Sequence, residues 1–139
     1  MTPHPICQAL ACTWLLLILA AAGCNAAQSD TFHVSGQVTF DGQPVPAGTI
    51  LFQPDKAQGA SGPAGLAIIR DGQFDTAAQG GRGTTGGAQR VQISGLDGKP
   101  VAMGPQGVPL FPDHNETILL PQADSTHDFD IAKKPGRRR

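Results

Sequence analysis

The chain has 139 residues, 18 of them glycine and 12 proline, with aromatic residues at only 5% and no tyrosine. Glycine and proline are the residues least suited to helix interiors, so this composition argues against long helices and favours short strands joined by turns. The formal net charge is −1, and the body of the chain has neither a basic stripe nor stacking aromatic residues. Nucleic-acid binding is therefore not expected.

The first 23 residues are predicted to be an export signal rather than part of the fold. The apolar run at residues 9–22 is shorter than the roughly 20 residues that span a bilayer, but it suits the apolar region of a signal peptide. It leads into Leu19-Ala20-Ala21-Ala22-Gly23-Cys24, which resembles a bacterial lipobox. The resemblance implies cleavage before Cys24, acylation of that cysteine and attachment to a membrane through the acyl chains. An ordinary secretory signal or an uncleaved anchor is the alternative.

Residues 24–30 are small and polar and are expected to form a tether to a single domain at residues 31–132. The domain opens with an alternating pattern in which Phe32, Val34, Val38 and Phe40 share one face. This pattern predicts a half-buried strand. Gly36 stands in the middle of that face, which indicates a bulge or a close approach of another backbone.

Further strands are predicted at residues 48–53, 64–70, 89–95, 116–120 and 127–132, with a return strand that begins at Phe74. In the strand at residues 64–70, Leu66 and Ile68 alternate with smaller or polar positions. Asp71-Gly72 predicts a type I′ hairpin turn, since this pair tolerates positive φ values. A glycine-rich loop at residues 79–88 and a proline-containing loop at residues 99–113 separate the later strands. About seven short strands predict an all-β fold, a single antiparallel β-sandwich after a helical signal segment.

Residues 133–139 are predicted to be a basic, disordered tail. They hold five of the ten basic residues, whereas all eleven acidic residues lie between Asp30 and Asp130. Two interpretations remain open for this tail: a solvated terminus, or contact with anionic lipid or an envelope polymer.

Two stretches carry the resemblance to a known family. Residues 34–54 read VSGQVTFDGQPVPAGTILFQP, and residues 69–74 read IRDGQF. They resemble the strand, Asp-Gly turn and aromatic signatures of carboxypeptidase regulatory-like domains. Together with the lipobox, the chain is similar to small lipoproteins of planctomycete-type bacteria. The resemblance implies a prealbumin-like or immunoglobulin-like sandwich without catalysis, although fold does not determine function.

Candidate ligand-binding residues lie in the two long loops. Arg82, Thr84 and Thr85 belong to the glycine-rich loop, which lacks the lysine and the following helix of a phosphate-binding loop. Asp113 and His114 end the second loop. No spacing of histidine, cysteine or carboxylate residues matches a metal site, so neither a metal nor another cofactor is expected, and no catalytic constellation is recognised.

These features predict a non-enzymatic, lipid-anchored module that binds or scaffolds an envelope polysaccharide or protein through loops 79–88 and 99–113. Asn25 follows the cysteine in place of the aspartate that retains enterobacterial lipoproteins in the inner membrane, which favours the outer membrane, facing the periplasm. The alternatives are a small periplasmic hydrolase using Asp113, His114 and Glu116, and a carbohydrate-acting accessory subunit.

Overall fold

The computed structural model describes residues 30–133, which contain nine strands, one short 3₁₀ helix (Lys56–Gln58) and no α-helix. No helix in this range is long and apolar enough to cross a bilayer. The predicted signal segment, Cys24, most of the tether and all but the first residue of the basic tail lie outside the described residues. The strands are β1 (Val34–Phe40), β2 (Gln43–Pro44), β3 (Ala47–Pro54), β4 (Gly65–Arg70), β5 (Gln73–Asp75), β6 (Gly87–Leu96), β7 (His114–Leu120), β8 (Ser125–Thr126) and β9 (Phe129–Ile131).

The predicted all-β class is confirmed: the strands form a curled, mainly antiparallel sheet in the order β2-β1-β5-β4-β3-β6-β7. β8 and β9 also pair with β1, and these two pairings are parallel. The sequence predicts antiparallel pairs only, because it offers no helix for a parallel crossover. The chain makes this parallel connection by passing from β7, at the far edge of the sheet, to β1 without a helix.

The core fills the inside of the curled sheet with aliphatic and phenylalanine side chains. Phe52, Phe74 and Phe129 lie at its centre, with ring centroids 5.6 to 6.4 Å apart. Around them pack alternate residues of the strands, together with one residue of the second long loop, Phe111. Burial of this apolar surface is the main favourable contribution to folding.

The residues of β4 that face the core are not Leu66 and Ile68, the alternating pair noted in the sequence. Ala67 and Ile69 are buried, whereas Leu66 and Ile68 are only half-buried. The register with β3 explains this, because Ile50 of the core lies opposite Ala67 and directly paired residues share a face. Leu66 and Ile68 lie on the other face.

Both local predictions of backbone geometry are confirmed. Asp71 and Gly72 have φ values of 50° and 77°, as the type I′ turn requires. Gly36 is the point of a close approach: a Cβ atom built on it would lie 2.0 Å from the carbonyl oxygen of His127. The absence of a side chain at Gly36 therefore allows the segment that joins β8 to β9 to lie against β1.

We expect Gly36→Ala to lower the free energy of unfolding by about 3 kcal/mol, because a backbone carbonyl must move to admit the methyl group. Gly59→Ala is the control: Gly59 has a φ of 78° but no atom within 4 Å of the added Cβ, so only the left-handed backbone is strained, at roughly 1 kcal/mol. Urea denaturation of both variants measures the difference. Equal destabilisation would show that the close approach is not a constraint on the fold.

Candidate functional site

The fold gives the domain two distinct ends. β1 runs seven residues, Val34–Phe40, a length of about 20 Å at the usual rise of a strand. The described chain enters beside Val34, and because β9 runs parallel to β1, it leaves beside Phe40. We call the end that contains Phe40 and Lys133 the distal end.

The second long loop, residues 97–113 between β6 and β7, exposes a group of apolar side chains. Met103 is 99% exposed, and three further side chains are 36 to 49% exposed: Val101, Val108 and Leu110. We call these four residues the apolar loop patch. Single exposed apolar residues are ordinary, whereas large contiguous apolar patches are typical of interaction surfaces.

Backbone hydrogen bonds give this loop a defined shape. Val101 and Gly104 exchange two backbone hydrogen bonds of 2.9 and 3.0 Å, which close a tight turn with Met103 inside it. The Asp97 carboxylate accepts hydrogen bonds from the backbone N–H groups of Lys99 (3.0 Å) and Val108 (3.1 Å). These bonds, with that from Lys99 the larger effect, hold the pKa of Asp97 below its ordinary value.

A groove of about 510 Å³ lies beside the loop at the distal end. Its lining includes the apolar residues Phe40, Leu110, Phe111 and Ile131, the candidate ligand residues Asp113 and His114, and Lys133. The rings of Phe40 and Phe111 lie 4.8 Å apart, centroid to centroid. Because its lining residues include the start of β7 and the end of β9, we call it the seam groove. Its volume is within the range of ligand-binding pockets.

The first set of candidate ligand residues is tied into the fold. Thr84 is fully buried, and its hydroxyl donates to Gln89 Oε1 at 3.1 Å. Thr85 is also buried, and its carbonyl accepts from Gln89 Nε2 at 2.8 Å. Arg82 is exposed, but its Nε donates to the Ala64 carbonyl at 2.9 Å. The structure therefore gives the two threonines internal hydrogen-bonding roles, and a ligand could reach Thr84 only if the segment moved.

The second set is divided between the two faces of the sheet edge. Asp113 accepts hydrogen bonds from Gln92 Nε2 (2.8 Å) and Ser94 Oγ (2.7 Å) on the outer face. His114 and Glu116 lie opposite the buried Ile93 and Val91 and so point to the inner face. Their side chains approach no closer than 3.8 Å, from Nε2 to Oε2. The three residues of the hydrolase hypothesis do not converge on one point.

Within residues 30–133, no three histidine, cysteine or acidic side chains group closely enough to hold a metal ion. No protein-family model matches the chain, and no curated protein matches it. The resemblance to carboxypeptidase regulatory-like domains therefore stays a prediction.

The sequence predicts binding through the loop at residues 99–113 but does not reveal which residues distinguish its surface. Its candidate ligand contacts are polar side chains, whereas the exposed side chains of this loop include Val101, Met103 and Val108. The available signal was apolar residues in a loop rich in proline and glycine. The sequence predicts Phe40 on the first strand and Lys133 in the basic tail, but nothing in the pattern indicates that they lie together.

We expect Thr84→Val to lower the free energy of unfolding by about 2 kcal/mol, because it leaves the buried amide oxygen of Gln89 without its donor. Thr117→Val is the control: Thr117 is exposed on β7, and such substitutions change stability by less than about 0.5 kcal/mol. Thermal unfolding of both variants provides the measurement. Equal melting temperatures would contradict a structural role for Thr84.

Protonation of Asp97 should loosen the loop. Since folding lowers its pKa, its contribution is present above the unfolded pKa and is lost as the pH falls through the folded pKa. We expect Asp97→Ala to cause severalfold faster amide exchange at Lys99 and Val108 at neutral pH. Asp124→Ala is the control, since Asp124 is another exposed carboxylate that accepts a backbone N–H, from His33. Unchanged amide exchange in Asp97→Ala would show that the Asp97 carboxylate does not hold the loop in place.

Proposed function

We propose that the chain is a non-enzymatic, lipid-anchored module of the bacterial cell envelope that binds a partner protein through its distal end. The observation that carries this proposal is the apolar loop patch, in which Met103 is 99% exposed. An apolar patch on a loop with a defined shape fits binding better than catalysis, since it offers contact area but no nucleophile or base.

The separation of the two ends supports a tethered binder. An acyl group on Cys24 would hold the domain through the residues that precede Val34, and the patch lies at the other end of β1. A domain anchored in this way can present the patch away from the membrane that holds it.

The anchor is tested by the intact mass of the protein extracted from membranes, beside Cys24→Ala. We expect the wild-type chain to begin at Cys24 with added acyl groups and the Cys24→Ala variant to be found in the soluble fraction. Cys24 is proposed as the lipidation site from the lipobox alone. An unlipidated mass beginning elsewhere would make the protein a secreted or periplasmic domain and remove the anchor from the proposal.

The binding role is tested by photo-crosslinking in intact cells, with the photoreactive amino acid at Met103 of the full chain. We expect discrete protein adducts from this position. The control position is Ala77, which is exposed next to Thr76, where the backbone contacts Val34 near the entry of the chain. Equal adducts from both positions, or none from Met103, would contradict binding through the distal end.

A further inference from the structure

We infer that the chain has a second binding site, at the end where it enters the domain, and that this site binds uncharged sugar units of a polysaccharide. The site is a recess of about 520 Å³, lined by residues of three segments, 58–61, 85–88 and 119–122, and by Asp30 and Phe32. We call it the entry recess. It shares no lining residue with the seam groove, so the inference goes beyond the proposed function.

Contacts between the segments hold the walls of the entry recess in place. Phe32 and Thr84 exchange two backbone hydrogen bonds of 2.8 and 3.0 Å, which join the start of the domain to the glycine-rich loop. Gly86 lies against the segment that follows β7, because a Cβ atom built on it would lie 2.7 Å from Gln122 Cγ. A recess with fixed walls loses little conformational entropy when it binds a ligand.

Thr85 supplies a buried hydrogen-bonding group in this lining. The residue is only 7% exposed, and its hydroxyl accepts a hydrogen bond from Gln89 Nε2 at 3.4 Å. Among residues 30–133, this hydroxyl donates to no acceptor. A buried donor without an acceptor loses the hydrogen bond that it makes in water. A hydroxyl group of a ligand in the entry recess can supply the missing acceptor.

The polar side chains at the rim of the recess are uncharged. Gln58, Ser61 and Gln122 are exposed there. Gln58 Nε2 donates to the Asp55 carboxylate at 3.2 Å, which holds this amide at the rim. Amide and hydroxyl side chains provide both donors and acceptors. The hydroxyl groups of a sugar also donate and accept, so the two sets are complementary.

Leu119 and Phe32 give the recess an apolar side. Leu119 is 80% exposed on β7, and Phe32 is half-buried. A sugar ring presents C–H groups on its face and hydroxyl groups around its rim. It can therefore pack against the apolar side while its hydroxyl groups bind the polar side chains, which is the usual combination in ligand sites.

Charge argues against an ionic ligand. Asp30 is the only charged side chain among the described residues that line the recess. An anion would have no basic partner there, and a single exposed carboxylate gives a cation little binding energy. A peptide strand is disfavoured because it needs a free strand edge along its length, whereas most of the lining belongs to loops.

The test titrates the full chain, purified as the cell produces it in a detergent without a sugar headgroup, with tetramers of glucose, galactose, mannose or N-acetylglucosamine. Amide chemical shifts of the ¹⁵N-labelled protein measure and locate binding. We expect at least one tetramer to shift the amides of residues 58–61 and 85–87 saturably and to leave those of residues 103–108 unchanged. Its uronate counterpart, with a carboxylate on each ring, should bind at least threefold more weakly.

Matched substitutions of exposed residues locate the site. Gln122→Ala should weaken the best tetramer at least threefold, whereas Gln43→Ala, at an exposed glutamine on β2, should leave its affinity unchanged. Leu119→Asp should weaken it at least threefold. Met103→Asp introduces the same charge at an exposed apolar residue of the distal end and should have no effect.

Three results would overturn the inference: no tetramer shifts these amides, the Gln122 and Gln43 variants bind alike, or the Leu119 and Met103 variants bind alike. Saturable shifts of the same amides by an uncharged peptide of alternating serine and alanine, but by no tetramer, would also overturn it, in favour of a peptide site. None of these results bears on the protein adducts expected from Met103, so the proposed function is tested separately.

Discussion

The structure depends on β1 having partners along both of its edges. β5 pairs with it on one side, and β8 and β9 on the other. The second pairing requires the close approach at Gly36, where the carbonyl of His127 occupies the space that a side chain would need. Because β1 bridges the sheet and the last two strands, this contact curls the sheet around the phenylalanine cluster and encloses the core.

The same pairing determines where the chain enters and leaves. An antiparallel β9 would have placed the basic tail beside the tether, whereas the parallel β9 places Lys133 beside Phe40. Lys133, Leu110 of the apolar loop patch and the seam groove thus lie at one end of the domain.

The second long loop combines two properties that usually oppose each other, exposure of apolar side chains and a defined conformation. Its defined shape comes from backbone bonds to the Asp97 carboxylate and from Phe111, which is buried against the core. Exposed apolar groups on a preorganised loop lose less conformational entropy on binding than the same groups on a flexible loop. The glycine-rich segment is different, because the side chains of Thr84 and Gln89 make their hydrogen bonds inside the protein rather than facing solvent.

The sequence by itself determined the fold class, most strand positions and the hairpin at Asp71-Gly72, because alternation of apolar residues and turn chemistry are local properties. It left a bulge and a close approach as alternatives at Gly36, and the structure shows the close approach. It did not determine the inward face of β4 or the parallel pairing of β9, since both follow from register between strands that are distant in sequence. The sequence identifies the loop of the candidate site but not the surface to which it belongs, because only the tertiary structure brings Phe40, Leu110 and Lys133 to one groove. Convergence of this kind depends on which strands pair, and that is decided by the packing of the whole core.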